Sequence, residues 1–324
     1  MLERTRRSLL AGLVGIALAG GLAAAPAMAA EKKLNVVATT GMIADAVRSV
    51  GGEHVDVHAL LGPGVDPHLY RQTSSDIAAA TRADVVFWQG LHLEAQLQEF
   101  LERLGQRKTV IALGEQLPRD RLLKNDQNAA LPDPHVWFDP HLWKGVVTAA
   151  RDELIRLRPE ARADFEAGAQ AYLAEIDRVA DYAAKVLASV PAQSRILVTA
   201  HDAFNYFGRA YGYEVRGIQG ISTESEAGLK QVEDLVQLIV DRGIGAIFIE
   251  SSVSDRNVKA LVEGAAAKGH KVVIGGELFS DAAGEAGTYE GTYVGMIDHN
   301  VTIIARALGG EAPETGMDGK LTVR

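Results

Sequence analysis

From Leu34 onward the chain alternates between two hydrophobic patterns. Short apolar runs occur at Leu34-Asn35-Val36-Val37-Ala38-Thr39, Val55 to Leu61, Asp84-Val85-Val86-Phe87-Trp88 and Thr109-Val110-Ile111-Ala112. Stretches of helical character lie between them, from about Met42 to Val50 and from Thr73 to about Arg82. Runs that stay apolar on successive residues suit strands covered on both faces, and their alternation with helices predicts parallel sheets. The second half repeats the pattern. Arg195-Ile196-Leu197-Val198-Thr199, Ala246-Ile247-Phe248-Ile249-Glu250 and Lys271-Val272-Val273-Ile274 read as strands, with helices near 204–211, 226–242 and 255–268.

A different pattern separates the halves. From Pro159 to about Ser189, Gly168 is the single glycine and no further proline occurs. Phe165, Ala169, Tyr172, Ile176, Val179, Ala183 and Val186 recur at spacings of three or four, the signature of a helix with one packed face. Pro159 suits a first helical turn, and Pro191 stands just beyond the end. Thirty or so residues make a rod of roughly 45 Å. The predicted fold is therefore α/β: two lobes, residues 30–157 and 191–324, each with a parallel sheet of about four strands covered by helices, joined by one long rigid linker helix at 158–190.

The first 29 residues read as an export signal: Arg4, Arg6 and Arg7, then an apolar run from Leu9 to Leu22, then the cleavage pattern Ala27-Met28-Ala29. Thr5-Arg6-Arg7-Ser8-Leu9-Leu10 also resembles a twin-arginine signal, so two export routes stay open. The chain has no cysteine, which excludes thiolate metal sites, disulfides and a cysteine-borne lipid. With that, the expectation is a protein exported to a periplasm, without a lipid anchor. A net charge of −9 disfavours nucleic acid as a partner.

Histidine carries the chemistry. His68 stands in Gly62-Pro63-Gly64-Val65-Asp66-Pro67-His68, His135 in Pro132-Asp133-Pro134-His135-Val136-Trp137, and His201 directly after the strand that ends at Thr199. Ligand sites of parallel sheets form where strands end. The tripeptide Asp-Pro-His stands at His68, at His135 and again at His141, and proline stiffens the backbone just before the imidazole, as a metal ligand requires. Asp281, in Gly275-Gly276-Glu277-Leu278-Phe279-Ser280-Asp281 after a second-half strand, supplies the oxygen donor. His54, His58, His92, His270 and His299 lack this setting and are assigned structural roles, and His141, although it lies next to Asp139-Pro140, starts a helix and is left out. Glu250, at a strand end, is a candidate for orienting a ligand histidine, and Trp137 for shielding the site. Glu224 and Glu226 read as helix-capping or solvent-facing.

The stretches around His68, His135 and His201, together with Phe248-Ile249-Glu250-Ser251-Ser252 and Gly275 to Asp281, resemble the zinc/manganese solute-binding proteins of ABC importers (cluster A-I) over essentially the whole chain after the leader. The resemblance implies two α/β lobes joined by a long helix, with four side chains holding one metal ion between them: His68, His135, His201 and Asp281. It also implies an ABC permease with its ATPase as partner, a monomer, and zinc or manganese as transported cargo. Three imidazoles and a carboxylate suit tetrahedral zinc, whereas a bidentate carboxylate enlarges the shell and suits manganese. The choice leans to zinc, because manganese-specific relatives commonly carry Glu at the place of His201. No catalytic residues are assigned. Four protein ligands leave no open position for a zinc-bound water, and no H-E-x-x-H helix occurs. A metal chaperone or adhesin using the same site is the alternative function, a zinc hydrolase a weaker one. Asp281, a carboxylate on a loop, is the expected first ligand to leave on release.

Overall fold

A computed structural model describes residues 32–125 and 128–322; the leader at 1–29 lies outside them. Among the described residues no helix is long and apolar enough to cross a membrane. In the first half, β1 (Leu34–Ala38), β2 (Val55–Ala59), β3 (Val85–Trp88) and β4 (Thr109–Ala112) form one sheet in the order β2-β1-β3-β4, parallel throughout. The interior strands are the most apolar. Val36, Val85 and Phe87 lie in a core against α1 (Gly41–Gly51), while Val37, Val86 and Trp88 face a second cluster under α2 (Ser74–Arg82) and α3 (Gln98–Gly105). Thr40 caps α1, accepting from the Ile43 amide, and Thr73 with Asp76 makes a reciprocal capping box on α2.

A short antiparallel hairpin, β5 (Lys124–Asn125) and β6 (Asn128–Pro132), delivers the chain to α4 (Pro140–Leu157). Asp139 caps that helix through the amides of His141 and Leu142, with Pro140 in the first turn. A 3₁₀ turn at Pro159–Ala161 then opens into α5 (Arg162–Ala188), 27 residues and roughly 40 Å long. All seven residues of its apolar stripe are buried. Gly168 lets α5 approach α1 closely, since a Cβ there would stand 2.6 Å from the Val50 carbonyl oxygen.

The second half runs β7 (Ile196–Thr199), α6 (Asn205–Tyr211), β8 (Glu214–Gly217), α7 (Leu229–Asp241), β9 (Ala246–Glu250), α8 (Arg256–Ala267), β10 (Val273–Leu278) and α9 (Tyr293–Ala307). Its four strands pair in parallel as two couples, β7–β8 and β9–β10. Two features escape pattern reading. β8 mixes polar and apolar residues, and β10 begins later than Lys271 and continues through Gly275-Gly276 to Leu278. Glycine is required there: a Cβ on Gly276 would stand 2.6 Å from the Ile303 side chain of α9, and its φ of 152° is one that other residues rarely adopt. The ladder shifts register between Ile274 and Gly276.

α5 packs against α1, α4 and α9, and one apolar core runs from the first sheet along α5 to Phe248, Leu278 and α9. Aromatic side chains fill it, among them Trp137, Trp143, Phe165, Phe204 and Tyr293, none of which reaches solvent appreciably. Each such burial stabilises the fold by about 1.5–3 kcal/mol.

Candidate metal centre

His68 follows β2 in the Gly62–Pro67 loop, His135 follows the hairpin and Asp133-Pro134, His201 follows β7, and Asp281 follows β10. These four side chains converge. One donor atom from each lies within 4.8 Å of the others, and all four residues are at most 1% exposed. Asp281 is central: its Oδ2 lies 3.2 Å from His201 Nε2 and 3.5 Å from His68 Nε2, and its Oδ1 lies 3.4 Å from His135 Nε2. A tetrahedral ion with ligand bonds of about 2.0–2.1 Å needs donors about 3.4 Å apart, so these separations fit one ion.

The polar atoms make the same point. Nε2 of all three histidines and both oxygens of Asp281 are buried with no hydrogen-bond partner. Orphaned groups of this kind are costly in a dry interior unless something else satisfies them, and a cation does. Among the described residues this is the one cluster of histidine and carboxylate groups with such geometry. The other six histidines lie outside it: His54 pairs with Asp164, His270 meets the Ile244 carbonyl, and His141 starts α4.

Two imidazoles are clamped by carboxylates. Asp133 Oδ1 accepts from the His135 backbone amide (3.0 Å) and pairs with its ring Nδ1 (2.7 Å). Glu250 Oε1 accepts from the His201 amide (2.9 Å), and Oε2 pairs with its Nδ1 (2.5 Å). Each clamp fixes the tautomer and turns Nε2 into the cluster. Glu250 thus takes the orienting role expected of it, and the Trp137 ring stands edge-on to His135 at 5.2 Å between centroids, its indole N–H donating to the Ser280 carbonyl at 2.9 Å. Asp133 was missed; the signal lay in the Asp-Pro-His repeat, which sets a carboxylate two residues before the imidazole. Glu224 accepts from Gln96 of the first half at 2.6 Å rather than capping its helix.

Electrostatics follow from these contacts. Burial pushes His135 down, but the charge and hydrogen bond of Asp133, with Asp281, outweigh it and hold this imidazole at about 9. Burial likewise opposes protonation of His201, yet Glu250 and Asp281 raise it well above its usual value. Burial pushes His68 down to about 3; Asp281 pulls the other way, and His135 and His201 add to the fall. Burial favours the neutral form of Asp281, but His201 and His135 hold its carboxyl well below the usual range.

Fold and cluster together define a class: an α/β protein of two halves with a buried cluster of three histidines and one carboxylate whose geometry fits a metal ion. The chain belongs to the ZnuA family, described as zinc-uptake complex component A, periplasmic, whose profile matches residues 36–307. It is similar to the zinc-binding protein TroA of Treponema pallidum, at 47% identity over 280 residues, 86% of this chain and 90% of that one. The solved structure of that protein superposes with a TM-score of 0.83, covering 86% of this chain and 99% of that chain. The manganese-binding lipoprotein MntA of Bacillus subtilis is 45% identical over 279 residues, 86% of this chain and 91% of that one. The metal ABC transporter substrate-binding lipoprotein SloC of Streptococcus mutans is 29% identical over 304 residues, 91% of this chain and 97% of that one. These names describe metal binding and transport, not catalysis.

One expectation is corrected by the relatives. MntA and SloC are named lipoproteins, proteins held at a membrane by lipid, which overturns the expectation of an exported protein without a lipid anchor. That expectation rested on the lack of cysteine in the sequence.

Proposed function

We propose that this protein is the metal receptor of an ABC importer. It binds one zinc or manganese ion as cargo through His68, His135, His201 and Asp281, and hands it to a membrane permease driven by an ATPase. The observation that carries this reading is the set of five buried, unpartnered donor atoms aimed at one another. Both oxygens of Asp281 face imidazoles, so the donor set serves four-coordinate zinc and, with a bidentate carboxylate, a larger manganese shell. Full enclosure suits a carrier rather than an enzyme, because no position is left for a reacting water. In this reading residues 30–157 and 191–324 act as lobes, 158–190 as the stiff connection, and a single chain is the working unit. Helix α5, which packs against elements of both halves, supports that division.

The test is native mass spectrometry of protein stripped of metal and then offered zinc or manganese. One ion per chain, lost in His201→Ala, is the expected result; no uptake of either ion overturns the reading. In vesicles carrying the permease and its ATPase, the loaded protein should stimulate ATP hydrolysis. Tight binding without stimulation would leave metal binding standing and remove the transport role.

A further inference from the structure

His135 and His201 are each oriented by a carboxylate on the ring, but Asp281 has no such partner. Neither of its oxygens makes a hydrogen bond, so their direction is set by the backbone that carries them. That backbone is held at the two residues before it. The Phe279 amide donates to Asn300 Oδ1 at 2.9 Å, and the Phe279 carbonyl accepts from Asn300 Nδ2 at 2.7 Å. The Ser280 carbonyl accepts from the Trp137 indole, and the Ser280 hydroxyl meets that of Ser252 at 2.9 Å.

Asn300 is costly where it stands. It is 2% exposed in α9, a helix whose buried residues include Met296, Ile297, Val301 and Ile304. Asparagine is a weaker helix former than alanine or leucine, and a buried carboxamide must replace its lost contacts with water. Asn300 replaces them on the amide and carbonyl of one residue, 21 positions away. A carboxamide can donate and accept at once; a carboxylate of the same shape only accepts, and an aliphatic side chain does neither. The bonds also close into a circuit. Tyr293, at the start of α9, donates its hydroxyl to the Trp137 carbonyl at 2.9 Å, and Trp137 in turn holds Ser280. One helix therefore holds the Asp281 segment directly through Asn300 and again through Trp137, which stands two residues beyond His135.

We propose that Asn300 sets the metal preference of the site: by locking the Phe279 backbone it keeps the Asp281 oxygens 3.2–3.5 Å from the three imidazoles and so widens the preference for zinc over manganese. Asn300 is a positioning residue, not a ligand, and acts through the backbone of residues 279–281. Zinc held by four short bonds in a tetrahedron loses more when one donor drifts. Manganese suits a larger oxygen-rich shell, and a carboxylate free to turn offers it a second oxygen.

This inference deepens the metal-receptor reading and rests on it, and its test separates the two. The affinities of the metal-stripped full chain for zinc and for manganese are measured by competition with a chromogenic chelator. Asn300→Leu should weaken zinc binding on the order of tenfold and manganese binding by less than about threefold, so the zinc-to-manganese ratio falls. Cobalt(II) bound in place of zinc should lose the intense visible absorption of a tetrahedral site. Ile304→Ala, in the same helix and as deeply buried but outside the circuit, should destabilise the fold and move neither the ratio nor the cobalt spectrum. A merely structural role for Asn300 would make the two variants alike. If Asn300→Leu does not fold, Asn300→Asp, which keeps an acceptor for the Phe279 amide but loses the donor to its carbonyl, carries the same expectation. A wild-type chain that binds neither ion overturns the receptor reading and this inference with it. A wild-type chain that binds, with a ratio in Asn300→Leu that is unchanged or moves towards zinc, overturns this inference alone. So does a cobalt spectrum as intense as that of the wild type, or an equal shift of the ratio in Ile304→Ala.

Discussion

The two clamped histidines reach the same local geometry by opposite routes. In the first half the clamp on His135 is built within three consecutive residues: Asp133, a stiffening proline, and the histidine whose amide and ring Asp133 engages. In the second half the clamp on His201 comes from Glu250, on a different strand and 49 residues away. One is a property of a short loop, the other of β7 and β9 lying side by side. The difference teaches that the second site depends on packing in a way the first does not. The second half is also the less continuous, with two strand couples where the first half has one four-stranded sheet.

That contrast can be broken most forcefully in the core. Phe248 is fully buried on β9, two residues before Glu250, and Phe87 is fully buried on β3. Truncating either to alanine should cost about 3–5 kcal/mol in denaturant unfolding. Only Phe248→Ala should also weaken metal binding substantially, because it loosens the strand that carries the clamp. Equal losses of affinity by calorimetry would show that both clamps depend on packing. Removing the clamps themselves comes next in size. Asp133→Ala and Glu250→Ala should each lower affinity by roughly 10–100-fold. If one of them changed affinity by less than about threefold, the two clamps would not be equivalent in effect.

Acidity sharpens the comparison further. His135 is raised from 6.5 to about 9 in the ion-free protein, so it carries a proton at neutral pH that an incoming ion must displace. Metal affinity should therefore climb as pH rises towards 9, by up to about tenfold per unit for each proton displaced. The stability of the ion-free protein has the opposite sign. A histidine whose folded pKa exceeds its unfolded value contributes fully below about 6.5, and that contribution is lost as pH rises through 9. Thermal melts with chelator across this range should show the decline, and Asp133→Ala should flatten it, since Asp133 is the chief cause of the raised value. A decline of unchanged steepness in Asp133→Ala would assign it to His201 instead.

Much of the architecture was legible in the chain alone, for reasons of local physics. Uninterrupted apolar runs mark β1, β3, β7 and β9 because both faces of such strands are covered, and the three-to-four spacing from Phe165 to Val186 marks α5 because one face of a long helix must pack. The Asp-Pro-His repeats mark His68 and His135 because proline restricts the backbone of its neighbours wherever it occurs, although the third copy, at His141, opens α4 instead. β8 was not legible, since its residues alternate weakly, and the course of β10 through two glycines was set by how closely α9 lies over them.

What the tertiary structure alone decided is which of these residues meet. The adjacency of β7 and β9 gives His201 its carboxylate, the position of the 219–228 loop puts the Thr223 hydroxyl on Asp66, and burial in the cluster takes His68 down to about 3 while Asp133 and Asp281 overcome the same burial and hold His135 at about 9. Spacing along the chain encodes backbone preference and the direction of each face, which are local. Contacts between residues far apart in sequence depend on the summed path of everything folded between them, and burial, which governs both clamp and charge, exists only once that path has closed.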